Sequence, residues 1–150
     1  VDPEQYSGQY CSLVVDAQGH PHISYRGWGL MYARFDGSAW RRTQVDNEFS
    51  AAFDSSLALD AHGRPRIAYN VLNNPDYDLR YAYFDGFDWQ IERIDMASEN
   101  SRFESMSLVL DASNQPHIAY EDLLPHVLKY AVKGLPKFDN RVYLPLLNRE

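Results

Sequence analysis

The sequence predicts an all-β chain of about three four-stranded antiparallel units, on three observations. The segment SLVVDAQGHPHISY, Ser12 to Tyr25, returns as SLALDAHGRPRIAY from Ser56 to Tyr69 and as SLVLDASNQPHIAY from Ser107 to Tyr120. A second module follows each copy: LMYARFDGSAW ending at Trp40, LRYAYFDGFDW ending at Trp89, and LKYAVKGLPKF ending at Phe138. Their tyrosines, Tyr32, Tyr81 and Tyr130, are 49 residues apart each time. Helical periodicity is absent throughout, and turn signals recur about every 8–12 residues, the rhythm of short strands.

Each unit supplies four strands in order. The first, SLVVD, SLALD or SLVLD, is rich in branched residues and stops at an Asp-Ala turn. Gly19, Gly63 and Asn114 fall at matching places in that turn, as a residue with positive φ requires. Pro21, Pro65 and Pro116 then open the second strand, where a missing amide hydrogen is tolerated. The third strand is LMYARF, LRYAYF or LKYAVK, and Asp36-Gly37 and Asp85-Gly86 after it form a hairpin signal. The fourth begins at Trp40 or Trp89 and runs to Val45-Asp46 or Ile94-Asp95. In the last unit Asp139 to Leu147 supplies it, with Pro145 limiting its length or placing it at an edge.

Several strands are apolar on both faces: in LRYAYF, Leu79, Tyr81 and Tyr83 alternate with Ala82 and Phe84. A sheet covered on both sides needs that pattern. Four-stranded sheets repeating every ~40–50 residues and packed face to face are the blades of a β-propeller. The unit resembles the bacterial propeller repeat with the pattern S-L-x-x-D-x-x-G-x-P-h-I-x-Y, then L-x-Y-A-x-x-D-G-x-x-W. The resemblance covers nearly the whole chain, and implies an architecture without implying an activity. Blades are expected at about 12–46, 56–95 and 107–147. Val1-Asp2 stands before Ser12 as Val45-Asp46 stands before Ser56, and reads as the end of a preceding blade. Three blades do not close a ring, and open blade faces would expose large apolar surfaces. Two readings are open: the chain is part of a longer propeller, or copies associate, such as two chains making six blades. The divergent tail RVYLPLLNRE, 141–150, is apolar, and Leu144, Leu146 and Leu147 are candidate partner-docking residues.

Composition narrows the function. A net charge of −7 opposes a nucleic-acid partner, since phosphate binding uses clustered Lys and Arg and only Arg41-Arg42 is such a pair. No run is long and apolar enough for a membrane helix. Cys11 is alone, so no intrachain disulfide forms, and it reads as a packed thiol before the first strand. His22 and His117 share a repeat position that Arg66 fills in the second unit, and a guanidinium is no metal ligand, so the position reads as a hydrogen-bonded strand site. His20 stands two residues from His22. The run Asn73 to Asp78 has oxygen donors without the spacing of an EF-hand loop; no cofactor is assigned, and calcium is the alternative left open there. The Phe-Asp-Gly-x-x-Trp hairpin is similar to the Asp-box of sialidases but lacks its serine and its Asp-x-Gly spacing; in that family the box is structural. No catalytic constellation can be assigned.

The connections between strands one and two, and three and four, are uniform between units. Those between strands two and three, and between units, differ: Arg26 to Gly29, Asn70 to Asp78 and Glu121 to Val127. Variable loops on a rigid frame usually carry binding. Candidate ligand residues are therefore Trp28, flanked by glycines, with Asp76, Tyr77, Asp78, Glu121 and Asp122, because flat aromatics beside carboxylates suit sugar rings or cations. The expected function is a non-enzymatic binding or assembly module, extracellular or at the cell surface. Its expected partners are protein, further copies or upstream blades, or carbohydrate. The alternatives are a fragment of a catalytic propeller such as a carbohydrate-active enzyme, and a structural subunit docking through open blade faces and the tail.

Overall fold

The computed structural model describes residues 1–4, 7–73, 76–97, 101–124, 126–132 and 142–145, with Asp76 and residues 142–145 described along the backbone. Twelve strands form three four-stranded antiparallel sheets, and no helix occurs among the described residues. The first sheet is β1 (Gln9–Val15), β2 (Pro21–Gly27), β3 (Gly29–Phe35) and β4 (Trp40–Asp46). The second is β5 (Ala51–Leu59), β6 (Pro65–Asn73), β7 (Asp76–Phe84) and β8 (Trp89–Met96). The third is β9 (Phe103–Leu110), β10 (Pro116–Asp122), β11 (Val127–Val132) and β12 (Val142–Pro145). Strand order within each sheet follows the chain, β1-β2-β3-β4 and its two equivalents.

The expected turn chemistry is present. Gly19, Gly63 and Asn114 have φ of 83°, 74° and 61°, where the left-handed region suits glycine and asparagine. Pro21, Pro65 and Pro116 are the first residues of β2, β6 and β10. Each first turn is tied by an aspartate: Asp16, Asp60 and Asp111 each accept two backbone N–H bonds from the four residues that follow. Every sheet carries a bulge near the start of its first strand, between Gln9 and Ser12, Ala51 and Ser55, and opposite Ala119 and Glu121.

Strand β5 packs beside β1 on one side and β9 on the other, so the first strands lie innermost and the sheets stack face to face as blades. Two apolar cores fill the two joints. Leu30, Tyr32 and Val45 of the first blade meet Leu57, Ile67, Tyr69 and Ala82 of the second. Ala68, Leu79, Tyr81 and Ile94 of the second meet Leu108, Ile118, Tyr120 and Ala131 of the third. A hydroxyl marks each joint: Leu57 N–H donates to Ser12 Oγ at 3.1 Å, and Leu108 N–H to Ser56 Oγ at 2.9 Å.

A buried polar staple crosses each joint. The last tyrosine of strand two donates to the aspartate that ends strand four of the blade before it. Tyr69 donates to Asp46 at 2.7 Å, and Tyr120 to Asp95 at 2.9 Å. A cation from strand three completes it: Arg80 lies 3.1 Å from Asp46 and Lys129 lies 3.3 Å from Asp95. In the first blade the repeat position of that cation is Met31, and Arg42 of strand four pairs instead with Asp2, to which Tyr25 donates at 2.7 Å.

Two expectations change. The stretch 70–78 is not a long loop: β6 and β7 continue to an Asn73–Asp76 pair, because Val71 and Leu72 favour strand and the register is unbroken from Arg66–Tyr83 onward. Cys11 is not packed but exposed on β1. Its repeat equivalents Ser55 and Met106 are buried against the preceding blade, whereas Cys11 lines an open depression with Val1, Asp2 and Gly8.

Candidate functional site

The residues expected to form a site separate into two groups. Trp28 is the single residue between β2 and β3 and is exposed, its carbonyl accepting from Gln44. Its indole lies 5.3 Å from the exposed Phe49 ring. The Arg26 guanidinium sits between Phe49 and Phe53, at 5.9 Å and 3.9 Å from their centroids, and Phe53 meets Tyr77 at 6.2 Å. Trp28 and Tyr77 therefore belong to one aromatic strip running from the first blade to the second.

The acidic candidates do not join it. Asp78 is buried in β7, held by Arg80 at 3.3 Å and facing Arg93 at 3.9 Å, and its Oδ1 accepts no hydrogen bond among the described residues. Asp122 is buried in β10, where Lys129 approaches to 2.6 Å and Ser101 donates to it. These carboxylates face cations between strands and not the loop surface, which corrects the expectation for them. Glu121 is half-buried, 3.4 Å from the exposed His126. Asp76 is placed by its pairing with Asn73. Leu144 stands in β12 opposite Leu128. Leu146 and Leu147 lie outside the described residues.

A further concavity lies on the opposite face, among the uniform turns. A cleft of 290 Å³ opens between the first and second blades. The first blade contributes Tyr32 and Arg34 from β3 and Thr43 from β4. The second contributes the turn His62-Gly63-Arg64-Pro65, with Phe84 and Trp89 from its second hairpin. Tyr32 and Trp89 meet edge to face at 5.5 Å, and Phe84 packs on Trp89 at 5.8 Å, so the floor is aromatic. The cleft continues inward past Asp16, His22 and Asp60 into a depression of 500 Å³ that shares Arg34, His62 and Gly63.

The polar rim is ordered. Arg64 is pinned by three contacts: Nε to Asp60 at 3.0 Å, Nη1 to the Asp85 carbonyl at 2.8 Å, and Nη2 to His62 Nδ1 at 3.2 Å. Burial works to raise the Asp60 pKa, but the Arg64 and His62 N–H groups and the Arg66 guanidinium outweigh it and hold it at about 2. His22 Nδ1 and the Tyr32 hydroxyl lie 2.5 Å apart, and burial pushes the Tyr32 pKa well up, so the phenol stays protonated. Arg34 is exposed, and among the described residues no carboxylate pairs with it. The cleft thus presents an aromatic floor, one fixed guanidinium, one available guanidinium and a threonine hydroxyl. Such a set can bind a small polyhydroxylated ring, apolar face down and hydroxyls on the rim.

The equivalent positions at the next joint differ. Tyr83 replaces Arg34, Glu92 replaces Thr43, and Ser113 and Gln115 replace His62 and Arg64. Tyr83 donates to Glu92 at 3.2 Å, so these side chains satisfy each other. The signal for the first cleft was present in the sequence at turns of constant length, as positions that differ among otherwise matching copies.

Among the described residues no three His, Cys, Asp or Glu side chains are placed to hold a metal ion, and no helix is long and apolar enough to cross a membrane. No family model and no curated protein sequence matches the chain. Among solved structures, a fucose lectin from Kordia zhangzhouensis in complex with methyl-fucoside has a similar fold, at a TM-score of 0.57 and 15% identity, over 91% of this chain and 98% of that one.

Proposed function

We propose that this chain is a non-enzymatic carbohydrate-binding module whose ligand site is the cleft between the first and second blades. One observation carries the reading: Trp89, Tyr32 and Phe84 floor a cleft rimmed by Arg34, Arg64 and Thr43. A monosaccharide has the size and two-sided character for it. Its C–H face packs on aromatic rings, and its hydroxyls accept from the guanidinium groups of the rim. The fold shared with a fucose-binding protein makes the same substrate class the natural one to test. The residues that line the cleft offer aromatic rings, guanidinium groups and a hydroxyl, and the reading is binding without turnover. A secreted or surface location suits a glycan receptor.

The test is calorimetric titration with a panel of methyl glycosides, methyl-fucoside first, with tryptophan fluorescence as a second readout. Arg34→Ala removes an exposed side chain, so the thermal midpoint should hold while affinity falls at least ~10-fold, the loss of a charged hydrogen bond of about 1.5–3 kcal/mol. Unchanged affinity in Arg34→Ala, or no glycoside bound at millimolar concentration, defeats the cleft reading. A second reading places the sugar on the exposed Trp28 and Phe49 pair, with Tyr77 and Glu121 on the same face. Loss of binding in Trp28→Ala with retention in Arg34→Ala would select it.

A further inference from the structure

On the reading that the cleft between the first and second blades is a sugar site, we infer that the sugar is an acidic one, its ring carrying a carboxylate held by Arg34 and Arg64. Arg34, His62 and Arg64 line the cleft, and among the described residues no aspartate, glutamate, asparagine or glutamine lines it with them. A guanidinium can only donate hydrogen bonds. The Arg64 Nη2 donates to His62 Nδ1 at 3.2 Å, so the exposed imidazole has only its Nε2 hydrogen left to offer. The Tyr32 hydroxyl is engaged by His22, which leaves Thr43 as the one free rim hydroxyl. The rim side chains therefore give hydrogen bonds and scarcely accept them. Each hydroxyl of a neutral sugar carries a hydrogen that needs an acceptor, whereas a carboxylate brings acceptors alone. Its planar pair of oxygens also fits the fork of a guanidinium.

The positive charge here is in surplus. Asp60 stands between Arg64 at 3.0 Å and Arg66 at 2.7 Å, so one carboxylate answers two guanidiniums. Asp16, farther in, accepts from the Gln18 and His20 N–H groups and lies 3.4 Å from His22 Nε2. Arg34 is exposed and pairs with no carboxylate among the described residues. Its cross-strand neighbours are His22 on β2 and Arg41 on β4, and Arg41 takes Asp36 for itself at 2.6 Å. Like charges opposite each other destabilise a sheet, and an anion bound at Arg34 would relieve that opposition. In a chain of net charge −7, an arginine set against another arginine and apart from every acid is the exception that a negative ligand explains.

Packing does not require these cations. At the second joint Tyr83 stands for Arg34, Glu92 for Thr43, Ser113 for His62 and Gln115 for Arg64. Those four bring one acid and no cation to the same places, and the blades pack there as they do at the first joint. The guanidinium rim is thus a property of one cleft and not of the repeat.

The test is calorimetric titration of the 150-residue chain with methyl glucuronide and methyl galacturonide, each against its neutral glycoside. Within each pair the ligands differ only in a carboxylate for a hydroxymethyl group. In at least one pair the uronide should bind at least ~10-fold tighter. Its affinity should fall between ~50 and ~500 mM salt while that of the neutral glycoside holds. Arg34→Gln keeps a donor and removes the charge, so the thermal midpoint should hold while the preference for the uronide falls below ~3-fold. Neutral glycosides bound as tightly as the uronides overturn the acidic ligand and leave the cleft reading standing. A preference that survives Arg34→Gln overturns its assignment to this rim. A sulfated methyl glucoside that binds more tightly than either uronide overturns the carboxylate in favour of a sulfate ester. If no glycoside of any kind binds, the sugar reading of the cleft falls and the acidic ligand falls with it.

Discussion

Replacing Tyr69 with phenylalanine isolates one hydrogen bond of the inter-blade staple. The hydroxyl is buried and donates to Asp46 at 2.7 Å, and nothing else of the ring changes in Tyr69→Phe. Burial and the neighbouring carboxylate push the phenol's pKa far up, so it remains a donor at every working pH. A hydrogen bond to a charged acceptor contributes about 1.5–3 kcal/mol. The lower half of that range applies, because Asp46 keeps Arg80 at 3.1 Å and the Glu48 N–H at 3.0 Å and is not orphaned. The expected loss is about 2 kcal/mol. For a chain of this length that is a fall in thermal midpoint of about 4–8 °C, or roughly 1 M urea in a denaturation midpoint. Asp46→Asn should cost more, since it weakens the acceptor that Tyr69 and Arg80 share. The assay is paired thermal and urea unfolding. A Tyr69→Phe loss under about 0.5 kcal/mol would refute the view that the staple fastens one blade to the next.

Acid should weaken the fold in a defined window. Asp2 and Asp60 both sit at about 2, below the ordinary 3.8, so the stability they contribute is complete above pH 4 and lost as pH falls through 2. For Asp2 the Tyr25 and Ser7 hydroxyls outweigh the opposing effect of burial. Thermal midpoints should fall between pH 4 and 2, less steeply in Asp60→Asn, and a flat profile would contradict the assignment. Gly29 has φ of +92°, and a Cβ there would lie 2.1 Å from the Asp46 carbonyl oxygen. Gly29→Ala should therefore destabilise by more than ~3 kcal/mol, against a few tenths for Gly63→Asn, and urea midpoints compare the two.

How much was legible in the sequence follows from what repeats. Strand positions, the positive-φ residues at 19, 63 and 114, and the prolines that open second strands recur because each blade must satisfy the same backbone geometry. The staple was legible in principle, since Asp46 and Asp95 align, as do Tyr69 and Tyr120. Its cation was less so, because Met31 interrupts the column that Arg80 and Lys129 share. Asp78 and Asp122 looked like surface acids because their burial depends on Arg80 and Lys129 reaching them from the same or the neighbouring strand, which chain order does not show. The 70–78 stretch looked like a loop because Asn, Pro and Asp mark turns, yet only its centre turns. Cys11 looked packed because its equivalents are packed, but they face a preceding blade, and Cys11 faces an open depression beside Val1, Asp2 and Gly8.

The same logic fixes how many sugars one chain should hold. A position that packs between blades is constrained to match in every copy, so differences at cleft rims are the ones that packing leaves free. Arg34, Thr43, His62 and Arg64 gather at the first joint, and Tyr83, Glu92, Ser113 and Gln115 at the second. At the second joint the Tyr83 hydroxyl and Glu92 satisfy each other, so a sugar hydroxyl there would have to break a bond to make one. At the first joint Arg34 has no carboxylate to surrender among the described residues, and Arg64 is already oriented by Asp60 and the Asp85 carbonyl. Preorganised donors cost less to engage than paired ones. Titration should therefore saturate at one glycoside per chain. Two equal sites per chain would show that the rim, which differs between the joints, does not select the ligand.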